Sequence, residues 1–210
     1  MPSLFLLFLA LVAPVVDHPG TTANAAIVIG LHGRGDTPEN FAGIATSLGP
    51  QLHWLVPRGP LPWGQGLVGA QWFDLQVPDG GKAALQTALD VVASQVRAAG
   101  KKPVALVGFS QGCMLAAQYA AAHPDQLRAV LCFGGRLVGP IAVPQGHHAV
   151  QIRFVHGRKD PMVPLAKAVD AVATLRKAGL NATLTEHDGG HTMPPQLMPE
   201  LRAWLADRLK

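Results

Sequence analysis

Along the chain, short runs that are almost wholly apolar alternate with longer stretches whose apolar residues recur every three or four positions. The runs at 27–31, 53–56, 104–107, 129–133, 152–155 and 182–185 read as strands, and those at 27–31, 104–107 and 129–133 carry no polar side chain, as strands covered on both faces do. Between them, Leu85, Leu89, Val92 and Val96 are spaced for one face of a helix, as are Leu165, Val169, Val172 and Leu175. Leu197, Leu201, Trp204 and Leu205 close the chain in the same rhythm. Parallel neighbours in a sheet need a crossover, normally a right-handed helix, so this alternation predicts an α/β fold with a mostly parallel central sheet and helices on both faces. Functional residues then belong in the loops after the carboxyl ends of the strands.

Two stretches stand outside that rhythm. Residues 57–81, rich in Gly, Pro and Trp, read as an irregular loop facing a substrate. Residues 4–16 are apolar throughout, yet the run falls short of the roughly 18 to 20 residues a membrane-spanning helix needs, so no stable membrane anchor is expected. One reading of it is a strand near 10–16, a turn at Asp17-His18-Pro19-Gly20 and a second strand from Ala26. The other is the core of a secretory leader with Ala23-Asn24-Ala25 as its cleavage site. No Lys or Arg precedes the run, which favours the strand, and with it a cytoplasmic protein over a secreted or periplasmic one. The organisation expected is a strand-and-turn segment over 1–26 followed by one domain over 27–210.

Composition narrows the classes further. With 210 residues there is room for one domain of ordinary size and no separate cap domain. A chain 49% apolar and only 14% charged has the core that a disordered protein lacks. The net charge of +4 comes from scattered cations rather than a stripe, so nucleic acid is not an expected partner. Cys113 and Cys132 each sit in an apolar stretch, which makes them buried free thiols rather than a disulfide framework or a zinc site.

The chemistry is carried by Gly108-Phe109-Ser110-Gln111-Gly112, directly between an expected strand and the helical run that begins at Cys113. A serine at such a strand-to-helix turn has its hydroxyl exposed, and glycines two positions to either side let neighbouring backbones close in. The first N–H groups of the helix then face a reacting carbonyl, which makes the N–H of Gln111 one donor to an oxyanion. The hydroxyl needs an imidazole to take its proton, and the imidazole needs a carboxylate to fix its tautomer. In hydrolases built on this sheet the order is Ser, acid, His. Asp160, after the strand at 152–155, and His191, in the loop before the last helix, fit that order. His187 is the rival base, but its place at a strand end gives it less freedom than Gly189-Gly190 gives His191. The second oxyanion donor is expected in Leu31-His32-Gly33-Arg34-Gly35-Asp36, at the N–H of Arg34. The same stretch also reads as a turn into a helix, with Thr37 as cap and Pro38 in first position.

Those hexa- and pentapeptides, with Gly157-Arg158-Lys159-Asp160-Pro161-Met162-Val163-Pro164, Gly189-Gly190-His191 and Trp72-Phe73-Asp74, resemble the small carboxylesterase and acyl-protein thioesterase (phospholipase/carboxylesterase) family of α/β-hydrolases. The resemblance runs over about 27–210. It implies an α/β-hydrolase fold, an oxyanion hole at Arg34 and Gln111, and an acyl site near Trp72 and Phe73, with Trp54, Trp63, Leu67 and Val68 shaping an open groove; plain packing under the long loop is the other reading of the aromatics, Trp54 above all. Family members often have Leu where Arg34 stands. The implied activity is that of a serine carboxylesterase on small-molecule esters of short to medium chain length, with no metal or organic cofactor. Thioesters of lipidated proteins or lysophospholipids are the alternative substrates, and a hydrolase-fold binding protein without catalysis is the alternative class. The state expected in solution is a monomer or a homodimer.

Overall fold

The computed structural model of the protein describes residues 15–64, 68–74, 76 and 81–210. Its strands in chain order are β1 (Val15–His18), β2 (Ile27–Leu31), β3 (His53–Pro57), β4 (Leu61–Trp63), β5 (Gly69–Gln71), β6 (Val104–Phe109), β7 (Ala129–Phe133), β8 (Gln151–Gly157) and β9 (Asn181–His187). The helices are α1 (Pro38–Ala45), α2 (Lys82–Ala98), α3 (Gln111–Ala122), α4 (Leu165–Lys177) and α5 (Met198–Arg208). Among the described residues, seven strands form one sheet in the order β1-β3-β2-β6-β7-β8-β9, parallel except where β1 meets β3, and β4 pairs with β5 in a small antiparallel hairpin.

The unbroken apolar character of the central strands follows from cover on both sides. Ile27, Ile29 and Leu31 of β2 pack with Ala88 and Val92 of α2, with α3 and with Val172 and Leu175 of α4. Val28, with Ala105 and Val107 of β6, packs instead with Phe41 of α1 and with Leu201 and Leu205 of α5. Helix α1 starts where its cap chemistry dictates: Pro38 holds the first turn and Asn40 N–H donates to the Thr37 hydroxyl at 3.2 Å. Cys113 and Cys132 are free and buried. No helix among the described residues is long and apolar enough to cross a membrane.

The structure departs from the sequence reading in five places. The strand expected at 10–16 overlaps β1 only at Val15 and Val16, and residues 1–14 lie outside the described part. Asp17 and His18, expected in a turn, are strand residues paired with Leu55 and Trp54, and Asp17 accepts from His53 at 2.7 Å. Within residues 57–81, Leu61–Trp63 and Gly69–Gln71 form the hairpin. In α4 the buried stripe is Ala168, Ala171, Val172 and Leu175, so Val169 is left 45% exposed. Leu197 precedes α5 rather than belonging to it.

Candidate active site

Strand β6 ends at Phe109 and α3 begins at Gln111, so the whole change of direction falls on Ser110. Its φ of 53° and ψ of −115° make it the one residue other than glycine with positive φ among the described residues. Such a conformation costs on the order of 1–3 kcal/mol and persists only when its surroundings enforce it. Here Ser110 N–H is tied to Phe133 O of β7 at 2.8 Å, and Ser110 O accepts the first helical bond from Met114 at 3.1 Å. Helix α3 can crowd the sheet this closely because residue 112 is glycine: a Cβ there would lie 2.0 Å from Leu31 O.

Asp160 follows β8 and His191 follows β9, two neighbouring strands, and the chain brings them together. His191 Nδ1 lies 2.7 Å from Asp160 Oδ2, while Asp160 Oδ1 accepts from the N–H groups of Met162 at 2.8 Å and Val163 at 2.9 Å. Burial disfavours the charge on Asp160, but the Val163 N–H, His191 and the Met162 N–H together outweigh it and hold the carboxyl below its ordinary range. The imidazole of His191 packs against Phe109, the neighbour of Ser110, at 4.8 Å between ring centroids. Its other side is open because residue 134 is glycine with φ of 59°; a Cβ there would stand 3.1 Å from the ring.

The remaining histidines near this edge have partners of their own, and one of them also borders Asp160. His187 Nδ1 accepts from Gly189 N–H at 3.1 Å, and the ring is buried. His156, wholly buried, donates to Val163 O at 2.8 Å and has the same Nε2 3.4 Å from Asp160 Oδ2. Among the described residues no three His, Cys, Asp or Glu side chains converge as a metal site requires.

The loop after β2 is braced from several directions. Gly59 N–H donates to His32 Nε2 at 3.0 Å, which leaves the ring proton on Nδ1 to donate to Gly33 O at 2.7 Å. Burial drives the His32 pKa below its ordinary value despite that carbonyl, in keeping with the neutral ring that the Gly59 N–H donation requires. No peptide bond among the described residues is cis, so with Gly33 O turned onto the His32 ring the N–H of Arg34 points away from it. Gly35 N–H donates to Ala70 O at 2.8 Å and Ala70 N–H returns to Asp36 O at 3.0 Å, which stitches the loop to β5. Trp72 Nε1 donates to His32 O at 2.8 Å. The side chain of Gln111 completes the brace: Oε1 accepts from Trp72 N–H at 2.8 Å and Nε2 donates to Phe73 O at 2.6 Å.

Ser110 opens into a cleft of about 140 Å³ lined also by Arg34, Gln111, Met114, Arg136 and Met162. A larger hollow of about 400 Å³ beside Lys101 and Arg128 lies at the amino ends of β6 and β7, the edge away from Ser110 and from the loops where this kind of sheet places its chemistry. Of the residues expected to touch an acyl group, Trp72 and Phe73 do not line the cleft. They are 0% and 1% exposed and act from behind it, holding His32 and Gln111. Trp54 takes the packing alternative: it is buried on the α1 and α5 side of the sheet, with Nε1 donating to Gly49 O at 2.9 Å. Trp63 is 40% exposed under the Arg34 guanidinium. Val68 is 72% exposed, away from the cleft lining, and Leu67 lies outside the described residues. Sequence reasoning missed Arg136, Met114, Met162 and the Gln111 side chain. Arg136 could have been found as a charged residue in the loop after a strand, at the sheet's functional edge.

A strand, a strained serine and a helix on a mostly parallel sheet, with an acid and a histidine after the last two strands, define the α/β-hydrolase fold. The chain belongs to the phospholipase/carboxylesterase family, whose profile matches residues 13–208. It is 30% identical over 197 residues to Esterase YpfH of Escherichia coli (strain K12), covering 88% of this chain and 83% of that one. Among solved structures it is similar to esterase PE8, at 27% identity and a TM-score of 0.77, covering 94% of this chain and 98% of that one. It shares its fold with Zea mays acyl-protein thioesterase 2, at 19% identity and a TM-score of 0.79, over 94% of this chain and 100% of the other. Membership places the protein among esterase-type hydrolases.

Proposed function

We propose that the protein is a serine carboxylesterase acting on small-molecule esters of short to medium acyl length. Ser110 Oγ attacks the acyl carbonyl as His191 Nε2 takes its proton, and the alcohol leaves with that proton. Water then attacks the acyl-enzyme, giving its proton to His191, and the acid departs as the Ser110 hydroxyl is restored. The observation that carries this reading is the 2.7 Å contact of Asp160 with His191 Nδ1, which leaves Nε2 free to act as the base, with the ring packed on Phe109 next to the strained Ser110. Two donors serve the oxyanion: the N–H of Gln111 at the start of α3, and that of Arg34, turned away from His32 by the Gly33 carbonyl. The reaction uses protein groups and water, with no metal or organic cofactor.

The small volume of the cleft favours short acyl groups. The fold shared with an acyl-protein thioesterase keeps thioesters as the second reading, since the same steps serve a sulfur leaving group. A panel of 4-nitrophenyl esters from two to twelve carbons, run beside a matched thioester, separates the two. Faster turnover of short esters supports the carboxylesterase, and a strong thioester preference overturns it.

A further inference from the structure

We propose that the Ser110 cleft selects esters bearing a carboxylate close to the scissile bond, and that Arg136 is the side chain that recognises it. The inference rests on Ser110 being the nucleophile. Among the described residues, two guanidinium side chains, Arg34 and Arg136, line the cleft, and no lysine or carboxylate does. Among the described residues neither arginine forms an ion pair. Asp160, the acid that holds His191, is 8% exposed, and its oxygens are taken by Met162 N–H, Val163 N–H and His191. Asp170 lines a neighbouring hollow that Arg136 also borders, but it forms no ion pair with it, so among the described residues no carboxylate is paired with the positive charge at the mouth of the nucleophile.

Both cations are also held in place before any substrate arrives. The Arg34 guanidinium lies 4.8 Å over the Trp63 ring. Arg136, half-buried after β7, donates from Nη1 to Leu137 O at 2.9 Å and keeps its remaining N–H groups for another acceptor. A planar fork of donors suits a carboxylate, and a side chain already ordered loses less freedom on binding it. Met114, Met162 and Val163 supply the apolar part of the same lining, against which a short hydrocarbon chain can pack. A neutral ester uses only that apolar part, whereas an anionic ester adds charge-assisted hydrogen bonds to guanidinium groups that no carboxylate of the described residues pairs.

Two substrate pairs test this and locate the charge. In the first, 4-butyryloxybenzoate is compared with its methyl ester, which places the carboxylate on the leaving group. In the second, monoethyl glutarate is compared with ethyl butyrate, which places it on the acyl chain. The expected result is a kcat/KM roughly tenfold or more higher for the charged member of at least one pair at low salt, narrowing at about 0.5 M salt. Arg136→Met brings that ratio toward one, Arg136→Lys retains part of it and Arg136→Glu inverts it. Neutral esters hydrolysed as well as their charged twins in both pairs would overturn the proposal. So would a ratio that Arg136→Met leaves unchanged in protein shown by circular dichroism to be folded. Failure to hydrolyse either neutral ester, with Ser110 unreactive to a fluorophosphonate, defeats instead the nucleophile assignment beneath it.

Discussion

Asp160 Oδ2 and His191 Nδ1 lie 2.7 Å apart, and the other oxygen of the same carboxylate is held by two backbone N–H groups. The carboxylate therefore cannot turn without losing bonds, and it fixes both the tautomer and the plane of the imidazole. Asp160→Asn keeps the shape but presents an amide where a carboxylate stood. We expect kcat to fall by on the order of 10³- to 10⁴-fold, with the far-ultraviolet circular dichroism unchanged. A variant that keeps a tenth of the wild-type kcat would show that His191 does not depend on Asp160.

The strain at Ser110 separates stability from activity. Ser110→Ala removes the hydroxyl and retains the strained backbone, so turnover is lost with little change in the urea midpoint. Ser110→Gly also abolishes turnover, but it releases a positive-φ side chain, and the expected gain is about 1 kcal/mol after glycine's greater unfolded-state freedom is set against it. An equal or lower midpoint for the glycine variant than for the alanine variant would mean the elbow is not strained.

Gln111 contributes through its side chain as well as its backbone. Gln111→Ala leaves the proposed oxyanion donor in place but strips partners from Trp72 N–H and Phe73 O, both buried. Denaturant titration should show a loss of about 2 kcal/mol or more, the cost of buried polar groups left unsatisfied. Activity falls far less than in Asp160→Asn, because the backbone N–H remains. A drop in kcat as large as that of the Asp160 variant would place the side chain itself in the chemistry.

Acid weakens the fold through histidines kept neutral. Burial lowers the pKa of His32, and burial followed by the nearby His156 lowers that of His187. Below about pH 6.5 the unfolded chain binds protons that these folded rings refuse, so stability is lost as pH falls from there toward the folded values. His148 works the other way. Its hydrogen bond to Asp125 raises its pKa, so that contribution is complete below the unfolded value and fades as pH rises through the folded one. Urea midpoints at pH 7.5, 6 and 5 should decline, and more steeply in His148→Gln. A midpoint that climbs on acidification contradicts the neutral assignment of His32 and His187.

Elements whose signal is local were legible in the sequence. Strand β7 occupies 129–133 as read, because an apolar run with cover on both faces leaves no ambiguity of period. Asp160 and His191 were found by their order after particular strands, and the structure brings them into contact. What depended on three-dimensional register was not legible. Trp54 faces α1 and α5 because alternate residues of β3 point that way, which the sequence near Trp54 does not state. Strands β4 and β5 have three residues each and one contains Pro62, too little for a period of two to emerge. Trp72 and Phe73 lie in a Gly- and Pro-rich stretch that reads as exposed. Their burial is decided by partners 39 or 40 residues away for Trp72, in Gln111 and His32. Arg136 carried a signal, a charge in the loop after β7, but its place beside Ser110 depends on how that loop folds over the cleft.

The central claim, that one serine at the end of β6 is made nucleophilic by His191, is tested most directly by stoichiometric labelling with a fluorophosphonate followed by peptide mass spectrometry. We predict one adduct per chain, on Ser110, absent in Ser110→Ala and strongly slowed in His191→Ala. Label on another residue, or ester hydrolysis by a wild-type protein whose Ser110 stays unmodified, would contradict it.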